Sequence, residues 1–422
     1  MKHKIINTRS LFHIPHDTDG KELIYLCGNS LGLQPKRTSA FIQNILDQRA
    51  CQGVEGWFEG KEQRLGLDSG VISSLARLVG AESSEVIAMN TLTINLHLAL
   101  SKLYHPQDQK KKIVIEQDCF PSDYHAVASQ IQIHGGNPET DIIIIPYRAG
   151  TYTLEEADIE EIIHKNHNDI TLILLPGVQY YTGQALDIAR ITAVAKSYDI
   201  IIGRDLAHAI GNINLSLHED NADFAVRCNY KYLNAGPGAI GGLFVHEKHL
   251  TTTDQLQGRR GVDITHRFMM DHSFVPAAGV SRMQISTTQV VPLAMLAASL
   301  SLYDEIGFDI IQAEREVMKT MLMDKLVQLQ KRHPDIFQIL TPYDSHRRGS
   351  QVSVYFFDNG QGRAVFDGLV QAGIIGDWRN PNVIRLSPVP LYNTREEIEY
   401  IVSTMQVLLI SGKYSLDSYY ID

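Results

Sequence analysis

The sequence predicts an α/β protein built on a doubly wound, mostly parallel seven-stranded sheet, with a smaller α/β domain after it. Three observations carry that prediction. Short apolar, β-branched runs alternate with helical-period segments between about residues 80 and 250, the pattern of strand–helix–strand units. The runs are continuously apolar rather than alternating, as strands buried on both faces require. After residue 288 the pattern changes to a long helical stretch and a few further strands, and 422 residues exceed what one core usually serves.

In chain order the expected strands are EVIAMN, KIVIEQ, DIIIIPY, TLILLPG, DIIIGRD, DFAVRC and GGLFVH, beginning at Glu85, Lys112, Asp141, Thr171, Asp199, Asp223 and Gly241. Between them lie segments such as Leu186 to Tyr198, LDIARITAVAKSY, whose apolar residues recur at helical spacing. A long helix over roughly 289–330 then leads to QVSVYFFD, NVIRLSPV and a closing helix near 395–411. The expected division is an N-terminal segment, 1–66, packed on the small domain, a large domain, 67–288, and a linking helix with the small domain, 289–422.

Composition narrows the function. Lys plus Arg minus Asp plus Glu is 38 − 48 = −10, and no basic run is present, which argues against nucleic acid as a partner. The polar start, MKHKIINTRSLFHIPHDTDG, lacks the apolar core of a secretory signal, and no 18-residue apolar stretch points to a membrane. Cys27, Cys51, Cys119 and Cys228 are scattered without zinc-ligand spacing. Reduced thiols, a cytoplasmic location and no metal in the site are expected.

The stretch CNYKYLNAGPGAIGG, from Cys228 to Gly242, sets the chemical question. Lys231 stands between two tyrosines at the end of an apolar strand, and Asp205 ends another, 26 residues earlier. Strand carboxyl ends face the ligand crevice of an open parallel sheet, where a buried Asp or a desolvated ammonium is costly alone. Pyridoxal phosphate satisfies both: its ring nitrogen is a cation for the aspartate, and its aldehyde condenses with the lysine amine. Thr91 and Thr93 open a helical pattern whose free N–H groups suit the phosphate. Phe120 precedes a helix start containing Ser122 and Asp123 and is placed to stack on the ring. Taken singly, such residues are more often a salt bridge, an N-cap and a core aromatic; their combination and order point to the cofactor. Gly236, Gly238 and Gly241 form G-x-G-x-x-G, but this run opens a strand, not the helix a dinucleotide site needs.

The segments YLCGNSLGLQPK, MNTLTINLHL, FPSDYHA, GVQYYTGQ, DLAHAIGN, NYKYLNAGPG and NPNVIRLSPVPLYN closely resemble the kynureninase family, from about residue 23 to 410 and in family order. The resemblance implies the type I fold of pyridoxal-phosphate-dependent transferases and a hydrolase that cleaves the Cβ–Cγ bond of L-kynurenine, or of its 3-hydroxy derivative, to anthranilate and L-alanine. It would make Lys231 the Schiff-base lysine, Asp205 the partner of the ring nitrogen, His208 its neighbour and Tyr230 a proton-transferring residue beside the phosphate. Leu92, Thr93, Phe120 and Asp123 would be cofactor contacts, and Arg385 would grip the substrate α-carboxylate, which a guanidinium binds bidentately. It further implies a homodimer with shared active sites, in which Arg259 and Thr287 reach the neighbouring subunit's cofactor.

The chain departs from the family pattern in several places. Arg259 and Val262 stand where Trp and His are usual; Arg260 follows Arg259; Arg204 precedes Asp205; Pro176 replaces a hydroxyl-bearing residue. Extra arginines suit a more acidic β-acyl-alanine or a different phosphate ligand, and both alternatives stay open. A cysteine desulfurase would need a C-terminal-region thiol, whereas the last cysteine is Cys228. A catalytically silent cofactor-binding protein would be expected to lack Lys231, Asp205 or Arg385, and all three are present.

Overall fold

The computed structural model describes residues 8–57 and 68–411; the domain boundary expected at 66/67 lies outside the described residues. All seven expected strands form. They follow a short N-terminal strand, β1 (Ile24–Tyr25), and are β2 (Val86–Ala88), β3 (Lys112–Glu116), β4 (Ile142–Ile145), β5 (Ile170–Pro176), β6 (Ile201–Asp205), β7 (Phe224–Arg227) and β8 (Gly242–Val245). They make one sheet in the order β2-β8-β7-β6-β5-β3-β4, parallel except for β8, which is antiparallel to both neighbours.

The strands are continuously apolar because both faces are covered. Ile113 and Ile115 of β3 join Leu172, Leu174, Phe224 and Val226 in the core on one face. Val114, Ile173, Leu175 and Ile202 belong to the opposite core, as the alternation of side chains along a strand dictates. After α1 (Thr38–Gln52) and α2 (Ser69–Val79), helices α3 (Leu92–Leu103) and α4 (Pro121–Ile133) cover the first face. A four-residue turn, α5 (Pro138–Asp141), precedes α6 (Glu156–Asn166) and α7 (Ile188–Lys196), which cover the second.

The expected linking helix is two helices. Helix α8 (Val290–Ile306) ends at Gly307, where φ is 92°, and α9 (Phe308–Arg332) departs at 84°. Helical periodicity continues across the break, and only the glycine signals it. Among the described residues no single helix is long and apolar enough to cross a membrane. Helix α8 packs against α1 and α2.

Beyond α9 lie β9 (Phe337–Ile339), β10 (Val352–Phe356), α10 (Asn359–Gln371), β11 (Ile374–Ile375), β12 (Asp377–Arg379), β13 (Val383–Leu386) and α11 (Arg395–Ser411). Strands β12-β13-β10-β9 form an antiparallel sheet, and β1 pairs in parallel with β11. Leu26 is buried in the core that α9, α10 and α11 make with this sheet. The N-terminal segment then turns back to the large sheet: the Gly32 amide donates to the Tyr230 carbonyl at 2.8 Å.

Candidate active site

The lysine loop is held from three sides. The Asn234 amide donates to the Lys231 carbonyl at 2.9 Å and the Ala235 amide to the Asn229 carbonyl at 3.0 Å. Asn229 Nδ2 donates to Ile240 O at 2.7 Å, and Tyr303 Oη to Tyr232 O at 2.5 Å. Tyr232 shares a 2.8 Å hydrogen bond with Ser387 of the small domain. A Cβ at position 32 would lie 2.3 Å from Lys231 O and 2.1 Å from Asn234 Oδ1, so only glycine lets YLCGNSLG close on the loop. The lysine backbone is thereby fixed while its side chain stays half-buried.

Lys231 faces a cavity at the carboxyl ends of β3, β5 and β6. Leu92, Thr93, Phe120, Asp123, Asp205, His208 and Tyr230 line it with Lys231. Eight of the eleven expected site residues therefore meet in one place. Lys231 Nζ is 5.9 Å from the ring centroids of both Phe120 and Tyr230. Phe120 packs edge-on against Tyr180, centroids 5.3 Å apart.

Three buried carboxyls converge there. Asp205 accepts from the Ala207 amide at 2.7 Å and bonds the Asp123 side chain. Burial holds Asp123 well above the usual carboxylate range, with the Asp205 charge adding to it, and burial also raises Asp205 against the opposing pull of the Lys231 ammonium. Glu116, at the end of β3, is pushed up to about 8 by burial, despite a hydrogen bond from Gln179. His208 is held well below its ordinary value by burial first and the Lys231 charge second, so its ring is neutral.

Asp123 Oδ1, Glu116 Oε2 and His208 Nδ1 are buried with no hydrogen-bond partner. Such orphans are rare in a folded interior unless a group completes them. Helix α3 begins beside them, and its N-cap, Thr91, makes no side-chain cap, leaving its first N–H groups suited to an anion. A ring with a cationic nitrogen, a polar substituent and a phosphate matches this donor set. The residues fit pyridoxal phosphate.

The other three expected residues lie outside the cavity lining. Arg385 is buried on β13, ion-paired with Asp377 directly across on β12, and donates to Tyr180 O at 2.6 Å and Ser30 Oγ at 3.0 Å. It therefore touches the cavity wall through Tyr180. Arg259 and Thr287 are exposed; the Arg259 guanidinium lies 5.1 Å from the Phe268 ring centroid, and its Nε donates to Arg267 O at 3.2 Å.

The remaining arginines are committed elsewhere. Arg204 is adjacent to Asp205 on β6 and so projects from the opposite face, where it donates to Ile188 O at 3.2 Å and Thr192 Oγ1 at 3.4 Å of α7. Arg260 is ion-paired with Asp68 at 3.1 Å. Neither lines the cavity. Pro176 does line it. The site thiols are unsuited to nucleophilic work: burial pushes Cys119 up to about 12 and raises Cys228 as well.

Sequence reasoning missed Glu116, Gln179, Tyr180 and Asp377. Glu116 shows the same signal as Asp205, a carboxylate closing an apolar strand. Gln179 and Tyr180 sit within GVQYYTGQ but carry no chemistry of their own, and Asp377 is recognisable only once β12 is paired with β13.

Comparison with known proteins gives the family and the fold. A family model described as "Kynureninase C-terminal domain" matches residues 312–405, and one described as "DegT/DnrJ/EryC1/StrS aminotransferase family" matches 73–216. The chain is 44% identical over 400 residues to a kynureninase of Xanthomonas oryzae pv. oryzae (strain PXO99A), covering 94% of each chain. It is 43% identical over 402 residues to one of Xanthomonas axonopodis pv. citri (strain 306), covering 95% of this chain and 94% of that one. Solved structures of similar fold include a C-DES mutant with glycine covalently linked to the PLP cofactor, at TM-score 0.74, 19% identity and coverage of 91% of this chain and 96% of that one. Another is the cysteine desulfurase CsdA from Escherichia coli, at TM-score 0.73, 17% identity and coverage of 96% and 99%. At those identities the likeness is one of fold.

Proposed function

The chain belongs to the kynureninase family, and from that premise we propose how its residues divide the hydrolysis of L-kynurenine to anthranilate and L-alanine, with pyridoxal phosphate as cofactor. The observation that carries this reading is the convergence of Lys231, Asp205, Asp123 and His208 on one cavity at the sheet's carboxyl edge. Lys231 and Asp205 would hold the reactive and nitrogen ends of the ring, Phe120 one face of it, and the start of α3 with Thr93 its phosphate. When bound, the cofactor supplies an electron sink for charge developing on the substrate carbon skeleton.

The protein's own groups supply the rest. Arg385 would orient the substrate through its α-carboxylate. The Lys231 amine would take the proton from the substrate Cα and return one. Burial raises the Tyr230 hydroxyl, which keeps it a neutral phenol able to donate to the substrate Cβ as the acyl group departs. Water enters at the γ-carbonyl and ends in the carboxylate of anthranilate. The walls of the cavity hold these partners within reach of one another, a large part of any such acceleration.

Two finer readings are offered with this one. A homodimer with shared sites is supported by the exposed apolar residues around Arg259: Leu256, Ile264, Phe268, Met269, Met270 and Ile285. Arg259 and Thr287 would then reach the partner's phosphate. A cytoplasmic location is supported by the free thiols of Cys27, Cys51, Cys119 and Cys228. A more acidic β-acyl-alanine as substrate loses most of its support, since Arg204 and Arg260 are used structurally. The deciding experiment is product analysis with L-kynurenine against a panel of 2-amino-4-oxo acids. Anthranilate and alanine in equal amounts are expected; preferred turnover of a non-aromatic acid would overturn the substrate assignment.

A further inference from the structure

Away from the cofactor cavity, three residues remote in sequence bring metal-ligating atoms together. Glu85 sits in the single turn before β2, His218 in the connection between β6 and β7, and His246 directly after β8. His218 Nδ1 is 3.0 Å from both oxygens of Glu85, and His246 Nδ1 is 3.4 Å from Glu85 Oε1. The two imidazoles stack at 4.9 Å, 22° from parallel, and one donor atom from each of the three residues lies within 4.8 Å of the others. We propose that Glu85, His218 and His246 form a binding site for a divalent cation of the zinc class.

The two Glu85–histidine separations, 3.0 and 3.4 Å, are those of ligands around one small ion. With metal–ligand bonds of about 2.0–2.1 Å, a tetrahedral site sets neighbouring donors roughly 3.3 Å apart. The two imidazoles are borderline ligands, and with only one hard carboxylate beside them they select zinc-like ions over calcium or magnesium. The carboxylate is already oriented: Glu85 Oε2 accepts from the Glu82 amide at 3.1 Å and Oε1 from the Glu247 amide at 2.9 Å, the supporting bonds that ligating carboxylates typically have. Glu85 is fully buried, yet among the described residues its only ionic partners are these two histidines. A buried carboxylate without a permanent cation is costly, and a bound divalent ion removes that cost. The His218 side chain is 28% exposed, against 11% for His246 and 0% for Glu85. Solvent therefore meets the cluster on the His218 side, where a water would complete the coordination.

Because none of the three residues lines the cofactor cavity, the role assigned to the ion is structural. Along β8, His246 and Gly241 are five residues apart, about 16 Å in an extended strand, and Gly241 lies against Leu92 at the start of α3. The ion would clip the β2–β8 edge to the connection carrying His218, remote from the chemistry.

The test uses the chelator-treated holoenzyme, titrated with Zn²⁺ by calorimetry and with Co²⁺ by visible absorption, with the thermal midpoint followed in parallel. One ion per chain, a raised thermal midpoint and the absorption of Co²⁺ with nitrogen and oxygen ligands are expected. His218→Ala, on the exposed side of the cluster, should weaken Zn²⁺ about 100-fold or more while the bound cofactor's absorbance is unchanged. His246→Ala should do the same, and His218→Ala alone suffices if that variant does not fold. Absence of stoichiometric binding, or binding unaltered in His218→Ala, would overturn the assignment.

Discussion

Asp123 and Asp205 meet side chain to side chain at the buried end of the cofactor cavity, one from the first turn of α4 and one from the end of β6. Two carboxyls so placed do not both ionise without a cation between or beside them. The ring nitrogen of the cofactor is such a cation. If Asp205 holds that nitrogen, Asp205→Asn removes a charge-assisted hydrogen bond worth about 1.5–3 kcal/mol, so cofactor affinity should fall about 10- to 150-fold, with turnover falling alongside. Asp123→Asn, one step removed, should cost less. Titration of cofactor into stripped protein measures both, and equal losses would show that the two acids act as one unit.

Glu116 gives a pH dependence of opposite sign to that of a salt-bridged acid. Its ordinary value of 4.5 is raised to about 8 in the folded chain, so the folded form binds this proton more tightly. The associated stability is fully present below 4.5 and is lost as pH rises through about 8. Cofactor-free protein should therefore lose stability across this window, while Glu116→Gln shows a shallower loss. At pH 8 the variant should be the more stable of the two. Urea unfolding at pH 5.5 and 8 checks this; a difference that does not change with pH would mean that Glu116 is ionised throughout.

Much of this is legible in the sequence. The strands of the large sheet are apolar on both faces and bounded by polar residues, so their positions follow from periodicity. Asp205 and Lys231 were visible because a charged residue at the end of such a strand needs a reason. What was not legible depends on register or on side-chain direction. Arg204 leaves a more acidic substrate and a different phosphate ligand both open in the sequence; on β6 it takes the face opposite Asp205, toward α7. Asp377 meets Arg385 only through antiparallel pairing. Glu85, His218 and His246 are too far apart for any ligand-spacing rule. The break at Gly307 hides inside unbroken helical periodicity.

Lys231 should be the residue that borohydride fixes to the cofactor, because it is the lysine lining the cavity. Peptide mapping after reduction should find the label there, and Lys231→Ala should abolish turnover without unfolding the chain, since the loop is held by Asn229, Asn234 and Tyr232 rather than by the ammonium. Label on another lysine would displace the central assignment.

Arg385 should act on substrate affinity rather than on the cofactor. Its guanidinium is oriented by Asp377, Ser30 and the Tyr180 carbonyl. A lysine there reaches fewer of these partners and loses the bidentate geometry. Arg385→Lys should raise KM about 10- to 150-fold, from the same 1.5–3 kcal/mol for a charged hydrogen bond, with the cofactor absorbance unaltered. Asp377→Asn should raise KM in the same direction by misaligning the guanidinium. An unchanged KM in Arg385→Lys would end this role.

Arg259 separates a shared active site from a self-contained one. It is exposed, lies outside its own chain's cavity and has a phenyl ring and a backbone carbonyl for company, amid the exposed apolar residues that a two-fold contact would cover. If it reaches the partner's phosphate, Arg259→Ala should weaken the cofactor about tenfold or more, the loss of one guanidinium–phosphate contact, while the dimer persists. A dimer of one Arg259→Ala chain and one Lys231→Ala chain then contains one intact site, with Lys231 from the first and Arg259 from the second. Random re-association of equal amounts makes half the dimers mixed, so about one quarter of parental activity should return. Subunit exchange followed by kynurenine turnover measures this. No recovery, or a fully active monomer, would place Arg259 on an ordinary solvated loop.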